Sequence, residues 1–312
     1  MKTTSLLACV AVSLLAFAPA PLFSQRVQLA PRLHTGQTFF YRIDYSVTRN
    51  TRTESRVVSP ETPPIAHLDV SGMLQVQVVD ASASGLRLKT YFSERAAARE
   101  ALPSVPARAG TADLLVEVSI SQKGVASQLK GYDQLSGEQK AAWSDWLSRF
   151  TSSMTFPSGG LRSGQKWENN EPETTPAPIA GLWWAKKYEY AHDEPCARVA
   201  TASNNGPSQL LLAGESCAVI LVRSTLRQKS SPKNSTPQDY KLNSLKTRGI
   251  ANGHNETILY VSRASGLLVR STEDAQQSME VSIALSDESN QLHYSLTAKS
   301  RSEIALLPES PQ

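Results

Sequence analysis

Polar and apolar residues alternate along most of this chain, and the alternation sets the expected architecture. From Gly36 the sequence GQTFFYRIDYSVTR sets Phe39, Tyr41, Ile43, Tyr45 and Val47 against Arg42, Asp44 and Ser46. A period of two belongs to a strand with one buried face. HLDVSGMLQVQVVDASASGLRLKTYF reads as two strands around a turn at residues 80–85, and LLVEVSISQKGVASQLKG as two more around QKG. WWAKKYEYAHDEPCARVATA alternates at Tyr188 and Tyr190, and ESCAVILVRSTLRQ is a long strand. YKLNSLKTRGIANG, ETILYVSR, GLLVRSTEDA, SMEVSIALSD and NQLHYSLTAKSR supply four or five more. Strands joined in sequence by short polar turns predict an antiparallel meander.

Residues 137–154 break this pattern. Ser136 is followed three residues later by Gln139, the spacing of a capping box, and Trp143, Trp146, Leu147, Phe150 and Met154 then recur at steps of three and four. That spacing predicts a helix with one strongly apolar face, which needs a sheet to lie on. The expected fold is mainly β: a curved antiparallel sheet or incomplete barrel in two similar halves, with this central amphipathic helix packed on it. Two echoes support the halves. Gly36-Gln37-Thr38-Phe39 returns as Gly164-Gln165-Lys166-Trp167, and VEVSISQKGVASQL around Gly124 returns as ILYVSRASGLLVRS around Gly266. Loops are expected at 55–64, at the Ala-, Arg- and Pro-rich 93–113, at the proline-bearing linker 171–181 and at RQKSSPKNSTPQ, with a frayed end from Leu306.

The N-terminus narrows the setting. Lys2, an apolar run over residues 6–18 and small residues and prolines up to Ser24 are laid out as a secretory signal peptide. Cleavage after Ser24 leaves Gln25 first. LLAC at residues 6–9 is the weaker, lipoprotein reading, since only five residues precede it and the apolar run continues beyond it. The rest, 25–312, reads as a single β-rich domain with halves at about 25–160 and 161–305. An exported chain reaches the periplasm or the exterior, and there Cys196 and Cys217 are expected to form a disulfide. The formal charge of +4 is spread without a basic block, so nucleic acid is not an expected partner. After the leader no apolar run approaches the roughly 18 residues of a transmembrane helix.

Chemistry is thinly marked. His192-Asp193-Glu194, next to Cys196, is the densest set of acid-base or metal-ligating groups, but no HExxH or CxxC spacing accompanies it. No serine sits in a G-x-S-x-G elbow, and SGGLRSG lacks the lysine and following helix of a phosphate loop. His67 and His293 fall within strand patterns. The remaining candidates for ligand contact are aromatic: Trp143 and Trp146 on the helix, and the pair Trp183-Trp184. A helix over a concave sheet can leave an apolar cavity, although aromatics more often fill cores.

The order of GQTFFYRIDY, VSISQKGVASQLKGYDQL, the helix to FPSGGLRSGQKW, and ILYVSRASGLLVRS resembles an uncharacterised family of secreted or periplasmic bacterial β-rich proteins, a domain of unknown function. Residues 93–113 and 204–214 depart from it. The resemblance implies an envelope setting and a β-rich fold and supplies no catalytic residue. The expected function is therefore a non-catalytic exported protein binding an apolar small molecule or lipid, or another envelope component, without a cofactor. A hydrolase or metal-dependent enzyme centred on His192-Asp193-Glu194, or a purely structural module, is the alternative.

Overall fold

In a computed structural model of the chain, the described residues are 26–55, 66–94, 114–173, 177–196, 214–229, 235–285 and 291–307. The expected leader, nearly all of 93–113 and residues 308–312 lie outside them. Eleven strands and two α-helices follow in order: β1 (Thr38–Ser55), β2 (Ala66–Ser82), β3 (Gly85–Glu94), β4 (Leu114–Ser121), β5 (Ala126–Lys130), α1 (Gly137–Ser152), β6 (Lys166–Pro172), β7 (Leu182–Pro195), β8 (Ser216–Gln228), α2 (Gln238–Leu242), β9 (Leu245–Ser262), β10 (Leu268–Leu285) and β11 (Gln291–Leu307).

Among the described residues all strands join one sheet, in the order β5-β4-β3-β2-β1-β11-β10-β9-β8-β7-β6. The chain starts at the middle, walks out to one edge, crosses to the other edge through α1, and walks back until β11 pairs with β1 from Phe40↔Leu307 to Ser55↔Leu292. β5 and β6 do not pair with each other, so the sheet is not closed. It nonetheless curls. Val116, Val118 and Ile120 near one edge and Tyr188 and Tyr190 near the other join a single buried cluster around α1.

The capping box starts α1 as the sequence requires: Gln139 N–H donates to Ser136 Oγ at 3.2 Å, and Ser136 N–H to Gln139 Oε1 at 2.9 Å. Trp143, Trp146 and Phe150 then point into the curl, with Tyr41 of β1 packed 5.9 Å from the Trp146 ring and edge-on to Phe150. A 16-residue helix is roughly 24 Å long, whereas the 18-residue strands β1, β9 and β10 run to roughly 60 Å. The helix thus covers only part of the concave face. Farther along that face a second cluster, built on Ile179, Leu182, Leu226, Ala251, Met279 and Val281, closes the other end. The convex face is charged, with pairs Arg42–Glu303, Lys89–Glu117, Arg223–Glu256 and Arg301–Asp274 along it.

The two echoes are built alike. Gly36 and Gly164 both take positive φ, 89° and 79°, ahead of β1 and β6. Gln37 Oε1 accepts from His34 N–H and Gln165 Oε1 from Arg162 N–H. Gly36 N–H donates to Val78 O and Gly164 N–H to Tyr190 O, and each acceptor residue is followed by a register shift in its strand. The turns at Gly124 and Gly266 also match, each using a serine, Ser121 or Ser262, whose hydroxyl accepts a turn N–H.

Three local expectations are corrected. Within the proline-bearing 171–181, whose residues 174–176 lie outside the described ones, Glu171 and Pro172 belong to β6 and Ile179 is buried in the second cluster, so its described ends are not linker. Residues 238–242 form α2 rather than a strand, with Pro237 as its N-cap. Leu306 and Leu307, expected in a frayed end, belong to β11, which holds its register with β1 to Leu307, and the rest of that expected end lies outside the described residues.

Candidate functional site

The four candidate tryptophans divide. Trp143 and Trp146 are 1% and 0% exposed in the packed core, which leaves them no face for a ligand. Trp143 Nε1 donates to Thr90 Oγ1 at 2.9 Å. The apolar helix face that carries them is occupied by packing against the sheet. Trp183 alternates onto the face opposite Leu182 and Trp184. Trp184 alone lines an open space, a trough of 360 Å³ between α1 and the second cluster.

The trough is polar. Asp145, Glu171, Glu173 and Glu273 face Arg149 and Lys186, above a floor that includes Ser224, Asn255 and Ala275. These charges are already engaged with one another. Arg149, only 4% exposed, bonds Asp145 and reaches Glu273 at 3.1 Å and Ser271 Oγ at 2.8 Å. Ser302 Oγ donates to Asp145 at 2.7 Å, while Asn255 and Thr257 donate to Glu273. Lys186 pairs with Glu171 at 2.5 Å, and Trp184 Nε1 donates to Glu173 at 2.7 Å. The first set locks α1 to β10 and β11; the second ties β7 to the end of β6 and the residue after it. Burial raises the Asp145 carboxyl above its usual range, with Glu273 adding to the rise and Arg149 opposing it. Burial also raises the Tyr188 phenol, helped by Glu171, and the Tyr45 phenol, helped by Asp145. The trough is therefore first a set of ionic ties that hold its walls together.

His192, Asp193 and Glu194 lie at the end of β7 without converging on a cleft. His192 Nε2 is 3.4 Å from Glu194, Asp193 accepts from the Tyr190 hydroxyl and pairs with Arg263 at 2.9 Å, and Glu194 approaches Arg270 at 3.9 Å. A register shift between Tyr190 and His192 changes which face each residue takes. Cys196, just beyond, forms a disulfide with Cys217 of β8, with Cα atoms 4.9 Å apart. Among the described residues no group of three His, Cys, Asp or Glu side chains could hold a metal ion. His67 and His293 stand exposed on strands, each against a neighbouring hydroxyl.

The more apolar opening lies just past the C-terminus of α1, at a place the sequence reading did not single out. Residues 26–36 form a strap across that end of the curl: Val27 pairs with Leu161, Arg32 N–H donates to Ser265 O, and Leu29 and Leu33 are buried. Gly266 makes the close approach possible. It has φ +71°, and a Cβ there would collide with the Ala30 carbonyl. Between strap, the β2–β3 turn and the 3-10 turn after α1 is a cleft of 400 Å³ lined by Leu29, Pro31, Leu86, Met154, Phe156 and Leu161. The signal that could have found it is the apolar Val27, Leu29, Leu33 spacing just after the expected leader.

No family model matches the chain, and no curated protein matches it. Among solved structures, the outer membrane protein OprG from Pseudomonas aeruginosa is similar over 88% of this chain and 97% of its own, at 5% sequence identity and a TM-score of 0.19. A score that low carries neither fold nor function across. No helix among the described residues is long and apolar enough to cross a membrane.

Proposed function

We propose that this chain is an exported, non-catalytic binding module of the cell envelope that takes an apolar ligand in the cleft beneath the strap. The cleft carries the reading: at 400 Å³ it falls within the roughly 300–1,000 Å³ of small-molecule sites, and apolar side chains make up a little more than half of its lining, the rest being uncharged polar groups such as Gln28, Gln122 and Ser158. The trough does not compete on present geometry, because its charged side chains already satisfy one another. Export rests on the leader pattern of residues 1–24, on the Cys196–Cys217 disulfide and on motifs that resemble secreted β-rich proteins. The charged convex face suits water rather than the apolar band of a lipid-embedded barrel. Periplasm and exterior both fit. Titration with an environment-sensitive apolar dye tests the reading. Saturable binding that is lost in Ala30→Trp, where an exposed strap residue is enlarged into the cleft, supports it. A dye that binds the variant equally well removes it. Turnover in a hydrolase screen that vanished with His192→Ala would put the enzyme alternative in its place.

A further inference from the structure

We infer that the ligand of the strap cleft is an anionic amphiphile, a single apolar chain ending in a carboxylate or phosphate, lying across the strap with its charged end among arginines. This rests on the cleft being the binding site and adds the chemistry of the ligand's other end. Outside the strap is a shallow depression of 440 Å³ lined by Arg26, Arg32 and Arg263, with Glu215 its one acid. Gln28 lines both this depression and the cleft, which puts the two on either side of one strap residue.

The arginines are not equivalent. Arg263 is shared with Asp193 at 2.9 Å, and Glu215 accepts from Ser262 Oγ at 2.7 Å. Arg26 and Arg32 have different partners. Arg26 lies over Gly159 and donates to its carbonyl at 3.1 Å, and Arg32 donates to Ala264 O at 3.4 Å. Among the described residues neither is paired with a carboxylate. Each guanidinium keeps donors beyond the one so used, in the fork geometry that suits carboxylate and phosphate. A purely apolar ligand would leave these charges unused, and a cationic one would be repelled. The cleft lies toward the small end of the usual range, which favours one chain over two.

The experiment compares probes of equal chain length by calorimetry: tetradecanoate, tetradecanol, and a single-chain lysophosphatidylglycerol. Each is titrated below its micellar concentration into the full chain and into the Arg26→Gln/Arg32→Gln variant, whose exposed changes leave the core untouched. The expected result is tetradecanoate or the lysolipid binding about tenfold more tightly than the alcohol. That preference should vanish in the double variant while alcohol binding is unchanged. The stronger of the two anions identifies a fatty-acid or a lipid-headgroup source. Equal affinity for alcohol and anions, or a preference that survives the double variant, overturns the anionic assignment and leaves the apolar cleft standing. If none of the three binds, the cleft reading fails with it.

Discussion

Asp145 is buried between one guanidinium, Arg149, and a second carboxylate, Glu273, so the lock between α1 and the sheet holds two acids against one base. Its folded-state proton affinity is raised, which fixes the sign of its pH effect. A carboxyl whose native value lies above its unfolded one adds stability in acid and loses that contribution as pH rises through the native value. Wild type should therefore gain stability relative to Asp145→Asn as pH falls from 7 toward 5, read as the difference between their melting temperatures. A difference that stays flat, or reverses, would show the carboxyl to be fully compensated. Trp146 gives a simpler test. With no exposed surface, its truncation to alanine should cost about 3–5 kcal/mol. The inward face of Trp146 was legible in its three-and-four spacing. The lock was not read, although Arg149 on that buried stripe was the visible anomaly, because its partners Glu273 and Ser271, and the Ser302 that bonds Asp145, come from strands more than a hundred residues away.

At the scale of elements, strands were legible wherever one face is buried, since only then does the alternation survive selection for packing. β1 and β2 show this, with Tyr41, Ile43, Leu74 and Val76 all buried. The ends of segment 171–181 were misread because prolines suggest a loop, whereas Pro172 closes the edge strand β6, a position that tolerates proline, and Ile179 is held by packing in the second cluster. The strap was missed for a related reason: it docks through isolated backbone bonds, not a repeat. Gly266→Ala should loosen it, through both the Ala30 clash and the left-handed backbone, which alone costs about 1–2 kcal/mol. Hydrogen exchange should then speed up at Val27 and Arg32 before it does in β1. The disulfide ties the base of the β7–β8 connection, and reduction should lower stability by about 3 kcal/mol in the chain-entropy model, measured by denaturant unfolding with and without reductant.

For the molecule as a whole, strand order follows from the chain's path. A meander that leaves the centre, crosses once by a helix and returns wraps its sheet about that helix, and openings remain beside the C-terminal half of α1 and just past its end. Side chains decide how the two openings differ: ionic ties fill the trough, whereas the strap cleft combines apolar side chains with uncharged polar ones. That the protein binds at the strap cleft is what methionine methyl NMR tests most directly. Met154 lines the cleft, Met279 lies in the cluster beyond the trough, and Met73 sits on β2 away from both. On titration with tetradecanoate the Met154 methyl signal should shift and saturate while those of Met279 and Met73 stay fixed. A saturating shift at Met279 with Met154 unmoved would place the ligand at the far end of the sheet and contradict the assignment.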